Sequence, residues 1–298
     1  MIEFHVTHKT VYEYSELVSH CHNEARISIR SLPGQKCFTT AIYVTPRPVM
    51  FQERVDYFGN RVAYFAIEEP HSVLEVEAIS RVEIDLNHRP YPIESRSWEE
   101  TANLLEHDPG EELALVRQFM VPSPHVEISH ELRQYALQFF PPGSNFLDCV
   151  NNLNRSIFET FEYDPKFSTI STPVHEVLHA RRGVCQDFSH LALSLLRSLG
   201  FAGRYVSGYL ETLPPPGQPK LQGADASHAW FSIYEPISNL WVDFDPTNGV
   251  RCGETHIIAA WGRDYSDVSP IRGVLFGGGA HKIHVGVDVT RLAQTNNV

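Results

Sequence analysis

Gly183-Val184-Cys185-Gln186-Asp187-Phe188-Ser189-His190-Leu191-Ala192-Leu193-Ser194-Leu195-Leu196-Arg197-Ser198-Leu199-Gly200 reads as one helix with a thiol at its tip. Phe188, Leu191, Ala192, Leu195 and Leu199 fall at the i, i+3, i+4, i+7 spacing that lines a single buried face, and Gly200 supplies the stop. A sulfur at a helix start lies among unpaired N–H groups at the positive end of the macrodipole. Both favour the thiolate, the form that attacks carbonyls. A lone cysteine is ordinarily a small buried hydrophobe, and that reading suits Cys21, Cys37, Cys149 and Cys252. Cys185 departs from it because a histidine and an aspartate come after it in the order that thiol catalysis uses.

Downstream, residues 204–210 and 227–235 read as strands, and a turn at 236–239 joins the second to 240–244 as a hairpin. Alternation puts Trp230, Ser232 and Tyr234 on the face of His228, with Ala229, Phe231 and Ile233 on the other. Thiol catalysis needs an imidazole within hydrogen-bond reach and a third group that fixes its tautomer. His228 supplies the base, although among 16 histidines a single one carries little weight alone. Asp243 and Asp245 share one parity on the partner strand, so alternation leaves both open as the third group. Asp245 stands at the strand end before Pro246, where a loop would open it to a cleft, and this favours it.

Upstream, residues 4–84 alternate β-branched and aromatic runs with turn signals, including Leu32-Pro33-Gly34 and Phe58-Gly59-Asn60, and read as an antiparallel β domain. Residues 87–97, with Pro90 and Pro92, read as a linker. Ser97 and Glu100 form a capping box, Pro109 opens a second helix to Met120, Ser129 caps a third to Phe140, and Asn145 begins a fourth ending near Phe161. The expected division is therefore an all-β domain over 1–90, connecting helices over 91–160, and an α+β core over 161–298. A Pro-rich loop at 213–217 interrupts the core, and the overlapping segment 214–225 could cover the site. Ile283, Val285, Val287 and Val289 alternate as a last strand of the core.

Four ordered blocks carry a resemblance: Gly183-Val184-Cys185-Gln186-Asp187-Phe188; Arg204-Tyr205-Val206-Ser207-Gly208-Tyr209; His228-Ala229-Trp230; and Trp241-Val242-Asp243-Phe244-Asp245-Pro246-Thr247-Asn248. Together they resemble the transglutaminase-like core. The resemblance implies a papain-like fold in which a Cys-bearing helix packs on an antiparallel sheet, with Cys185 as nucleophile, His228 as base and Asp245, which opens an Asp-x-Thr segment, as the orienting carboxylate. His8-Lys9-Thr10-Val11-Tyr12-Glu13-Tyr14 and Asp56-Tyr57-Phe58-Gly59-Asn60 are similar to the β domain that precedes this core in bacterial transglutaminase-like proteins. Gly262-Arg263-Asp264-Tyr265-Ser266-Asp267-Val268-Ser269-Pro270 is similar to their C-terminal extension. Relatives of this kind are described as cysteine proteases and resemble proteins found beside ATP-grasp peptide ligases. The implied chemistry is acyl transfer from a peptide or protein amide through a thioester, to water in a protease or amidase and to an amine in a transglutaminase. The tryptophan that animal members use as an oxyanion donor has no counterpart here, since no Trp lies between Trp98 and Trp230.

Other classes receive less support. Lys and Arg number 24 against 36 Asp and Glu, a net charge of −12 with no basic run to follow a phosphate backbone, which disfavours nucleic acid. No stretch approaches the ~20 apolar residues of a membrane span, and Met1-Ile2-Glu3-Phe4-His5 does not begin an export signal. Five scattered cysteines make neither a disulfide framework nor a paired zinc motif, so a cytoplasmic location is expected and no cofactor is implied. His175-Glu176-Val177-Leu178-His179 matches the H-E-x-x-H of zinc proteases, but the helix that should bring a third ligand is the apolar one bearing Cys185. His20-Cys21-His22 cannot ligate one ion as strand neighbours, because they point to opposite faces. A catalytically silent peptide-binding scaffold would be marked by loss of Cys, His or Asp, and all three are present.

Overall fold

The computed structural model describes residues 1–85, 87, 92–212 and 227–292. The expected 213–217 loop, the 214–225 cover and the Pro90-Tyr91 part of the linker lie outside those residues. The N-terminal region is β throughout, with β1 (Ile2–Ala25), β2 (Gln35–Thr45), β3 (Met50–Val55), β4 (Arg61–Ile67) and β5 (His71–Ile84). The turn between β3 and β4 is fixed by Asp56, whose Oδ1 accepts the backbone N–H groups of Phe58 and Asn60 at 3.0 and 2.9 Å. Gly59 sits there at φ +76°, the left-handed region that a residue without Cβ enters freely.

Helices follow. In α1 (Trp98–His107) the Ser97–Glu100 capping box is complete. Helix α2 (Glu111–Val116) begins later than Pro109 because the Asp108 carboxylate accepts the Gly110 N–H at 2.8 Å and holds that segment in a turn. Ser129 caps α3 (His130–Ala136), and Asn145 caps α4 (Phe146–Thr160). The expected second and third helices tighten into 3₁₀ turns at 117–119 and 137–139 instead of running on to Met120 and Phe140 as α-helix.

The core then assembles from β6 (Glu162–Tyr163), α5 (Val174–Ala180), β7 (Arg182–Gly183), α6 (Cys185–Ser198), β8 (Gly203–Leu210), β9 (Ser227–Glu235), β10 (Leu240–Asp245), β11 (Val250–Arg251) and β12 (His256–Gly262). Strands order as β11-β10-β9-β8-β12, all antiparallel. One face packs on α6, where Leu191, Leu193 and Leu195 join Phe231, Ile233 and Phe244 in one apolar cluster. Gly203 permits the contact, since a Cβ there would lie 2.6 Å from Leu193. Arg197, 2% exposed, fastens the end of α6 by donating to the carbonyls of Gly203 and Val121.

After α7 (Tyr265–Val268) come β13 (Ile271–Gly277) and β14 (His281–Arg291). Both join the N-terminal sheet rather than the core sheet, which corrects the expectation for 283–289. β14 pairs with the first half of β1 and β13 with the second half, on the side of β1 opposite to β5 and β4. Register shifts along β1 let the sheet curl. The placement explains why the 283–289 alternation is only half buried. Val287 and Val289 pack with Phe4, Tyr209 and Ile257 between the two sheets, while Ile283 and Val285 stay half exposed.

Gly208 is the tightest point of the core sheet. A Cβ there would stand 2.1 Å from the Ile257 carbonyl oxygen and 2.5 Å from the Trp230 indole. Gly208→Ala is therefore expected to lower unfolding free energy by about 3 kcal/mol in urea denaturation. A loss below about 1 kcal/mol would mean that Trp230 does not need this close approach.

Candidate active site

Val184 is extended (φ −118°, ψ 178°) and turns the chain so that Cys185 becomes the first residue of α6. Parallel pairing of β6 with β7 sets Tyr163 beside Gly183. The Asp187 carboxylate accepts the Val184 N–H at 2.8 Å and the Ser168 hydroxyl. Only glycine fits before this turn, because a Cβ at 183 would meet that of Asp187 at 2.8 Å. Burial pushes the Asp187 carboxyl above its ordinary value, against the pull of those two hydrogen bonds.

His228 is the second residue of β9, level with Gly208 of β8. Its Nε2 lies 2.7 Å from Asp245 Oδ2, and the Cys185 side chain is the other group that acts on the ring. With Nε2 engaged by the carboxylate, Nδ1 is the nitrogen left for sulfur. Burial would lower the proton affinity of this imidazole. The bonds to Asp245 and Cys185, with the negative charge they bring, outweigh burial and raise its pKa to about 10.

Asp245 is fully buried. Its Oδ1 accepts the backbone N–H groups of Thr247 and Asn248 at 2.9 and 3.2 Å. Oδ2 accepts the Asn248 amide at 2.6 Å, His228, and a second imidazole, His256 Nε2, at 3.1 Å. Burial pushes this carboxyl up, but the donors prevail and hold it well below the usual carboxylate range. Asp243 shares the face, as its parity requires, but stands opposite Ser232, one step farther from His228 than Asp245.

His256 is a member of this cluster that the sequence pattern does not single out. It starts β12, on the far edge of the sheet, and is 4% exposed. The edge of the Trp230 indole covers it, with ring centroids 5.3 Å apart. Its Nδ1 accepts from the Gly253 N–H and faces the Thr255 hydroxyl, which leaves Nε2–H to donate to Asp245. No local pattern marks such a residue, because strand order rather than spacing brings it to Asp245. His228, Asp245 and His256 have the composition of a metal-ligand set, and their ligand atoms lie within 4.8 Å of one another. The 2.7 and 3.1 Å separations are those of two N–H groups meeting one oxygen.

The H-E-x-x-H residues lie elsewhere. His175 and His179 share one exposed face of α5 and turn toward Glu127 and Glu131, at 3.9 and 2.9 Å. Among the described residues, no cluster of three ligating groups includes them. In His20-Cys21-His22 the histidines stack on Phe276 and bond Tyr64, while Cys21 is buried. None of the five cysteines is joined in a disulfide. Among the described residues, no helix is long and apolar enough to cross a membrane.

Comparison with known proteins bears on the family and the fold. Residues 4–83 match the bacterial transglutaminase-like N-terminal region, and residues 133–246 match the transglutaminase-like superfamily. An uncharacterized protein of Mycobacterium tuberculosis is 36% identical over 297 residues, covering 96% of this chain and 92% of the relative. The chain belongs to the bacterial transglutaminase-like proteins. A second family member, an uncharacterized protein of Mycobacterium leprae, is 31% identical, with 98% of this chain and 100% of the relative covered. A crystal structure described as "a Putative Cysteine Protease from Cytophaga hutchinsonii" superposes with a TM-score of 0.75 at 21% identity, over 98% of this chain and 91% of that one, and so shares the fold.

Two measurements test the electrostatics of the cluster. His256→Phe keeps a ring beneath Trp230 but removes one donor from a buried carboxylate, so it is expected to cost about 2 kcal/mol in chemical unfolding, with His256→Gln recovering part of the loss. His228 holds its proton more tightly folded (about 10) than its ordinary 6.5, so its stabilisation is full below pH 6.5 and is lost as pH rises through about 10. The stability gap between the natural chain and His228→Gln should narrow steadily across that interval. A gap independent of pH would contradict the ion pair.

Proposed function

We propose that the chain is a thiol enzyme that cleaves or transfers acyl groups at peptide or other amide bonds, with Cys185 as nucleophile, His228 as acid and base, and Asp245 as the group that orients His228. The observation that supports this most is a single imidazole that holds its Nε2 2.7 Å from a buried carboxylate and whose proton affinity is also raised by the thiol at the tip of α6.

In the proposed reaction the Cys185 thiolate attacks the amide carbonyl, and a C–S bond forms as the carbonyl pair moves to oxygen. The backbone N–H of Cys185 at the start of α6 faces the developing oxyanion. Tyr163, aligned with Gly183 and electrostatically linked to Cys185, is our candidate for a second donor. Collapse breaks the C–N bond, and imidazolium His228 delivers its proton to the departing amine, leaving a thioester. An acceptor then gives a proton to His228, attacks the thioester and releases the thiolate. Water as acceptor gives a protease or amidase, and an amine gives a transglutaminase. The Asp245 carboxylate stays charged throughout and fixes the ring so that Nδ1 serves the sulfur. The expected substrate is a peptide or protein amide, and an ATP-grasp peptide ligase as functional neighbour rests on family resemblance alone.

The test combines labelling with a pH profile. Iodoacetamide near neutral pH should modify Cys185 at least about tenfold faster than the other four thiols, and that preference should vanish in His228→Ala. Turnover of a peptide amide should be unaffected by chelators. Its alkaline limb should lie near pH 10 and move to lower pH in Asp245→Asn. Equal labelling of several cysteines with chelator-sensitive cleavage would overturn the reading in favour of zinc. Selective labelling without turnover of amides or glutamine peptides, with water or a small amine as acceptor, would favour the silent scaffold.

A further inference from the structure

The same face of the core sheet that carries His228 and Asp245 carries a second set of functional groups four residues further along. Arg204 of β8 lies level with Ser232 of β9, which lies level with Asp243 of β10. From Arg204 to Gly208, the residue level with His228, is about 13 Å at strand spacing. Arg204 is 8% exposed, and its guanidinium is sandwiched between two indoles, 4.4 Å from the Trp241 centroid and 3.7 Å from that of Trp261. Arg30 lies 3.5 Å from the same Trp261 ring, which two guanidiniums can share only from opposite faces. Arg30 donates to the Phe58 carbonyl and the Asn60 side chain. Arg204 makes no hydrogen bond and no ion pair to any described residue, and its Nε is buried without a partner. Burial pulls its pKa down to about 9, against the distant charge of Asp243 and in the same sense as Arg30.

This cation lines a cavity of about 310 Å³. The walls are mostly aromatic and aliphatic, with Tyr57 and Phe58 from the β3–β4 turn, Leu115, Gln118 and Phe119 from α2 and the turn after it, and Trp241 and Trp261 from the sheet. All three parts of the molecule meet here. The turn is tied to the sheet by reciprocal bonds between Asn60 and the backbone of Trp261, each 2.9 Å. A guanidinium stacked between indoles keeps its in-plane N–H groups for an acceptor approaching edge-on. Aromatic walls around one desolvated cation suit a ligand with a single negative charge and a flat apolar body. The charge of Asp243, two strands away on the same face, disfavours a dianion.

We propose that this cavity is a binding site for a carboxylate borne on an aromatic or other apolar body, such as the C-terminal residue of a peptide, with Arg204 holding the carboxylate. The site is built by the N-terminal turn, the connecting helices and the core together, and it does not depend on the chemistry proposed for Cys185.

The probes are N-acetyl-L-phenylalanine and its neutral amide, titrated against intrinsic tryptophan fluorescence, since Trp241 and Trp261 both line the cavity. The acid should give a saturable change and bind about tenfold or more tightly than the amide, the ratio expected of one charge-assisted pair. Arg204→Gln should abolish that preference. Because Arg204 is buried and its replacement can unfold the chain, Leu115→Trp provides a second test: Leu115 is 66% exposed at the rim, so a larger side chain should block entry without moving the unfolding midpoint. Protein alkylated at Cys185 should bind the acid unchanged. Equal affinity for acid and amide, unaltered binding in folded Arg204→Gln or Leu115→Trp, loss of binding on alkylation, or tighter binding of phenyl phosphate than of the acid would each overturn the assignment.

Discussion

One buried carboxylate organises the site. Asp245 has no solvent contact and would be costly as an anion in apolar surroundings, yet five donors converge on its two oxygens. Two donors are backbone N–H groups of the turn after β10, so the chain supplies them as it leaves the strand. The other three are side chains from β9, β12 and the same turn. A carboxylate held this way cannot rotate without stranding several donors, and the imidazole bonded to it inherits that rigidity. The orientation of His228 is thus set by the sheet as a whole, not by the two residues alone.

The sheet can deliver these groups because its neighbours are fitted to it. Gly208 lets Trp230 approach β8 closely, and Trp230 in turn packs against His256. Gly203 brings α6 close on the opposite face, and Gly183 admits the Asp187 carboxylate that fastens the helix entry. Three missing methyl groups therefore permit the close packing of the helix entry, the helix and the sheet. None of the three glycines adopts a left-handed backbone. Close approach, not conformational freedom, is what they supply.

Local pattern in the sequence marks the elements that depend on spacing. The apolar period of 185–199, the caps at Ser97, Ser129 and Asn145, and the 227–245 hairpin all appear as elements where spacing placed them. Parity correctly set Asp243 and Asp245 on the face of His228 but could not choose between them; the register decides, because Asp245 lies nearer. What escaped was non-local. His256 reaches Asp245 through strand order, and the Arg204 stack needs two tryptophans 20 residues apart to close on one guanidinium. The alternation at 283–289 announced a strand but not its partner, since period two describes a face and says nothing about which sheet supplies it.

That last strand has a consequence for synthesis. β1 is made well before its outer neighbours β13 and β14. Throughout translation of some 250 intervening residues, one border of the longest strand therefore lacks its native hydrogen-bonding partner. The N-terminal sheet cannot be completed as an autonomous vectorial unit on the ribosome. Its closure must await β13 and β14, so segments far apart in the order of synthesis mature in a single event.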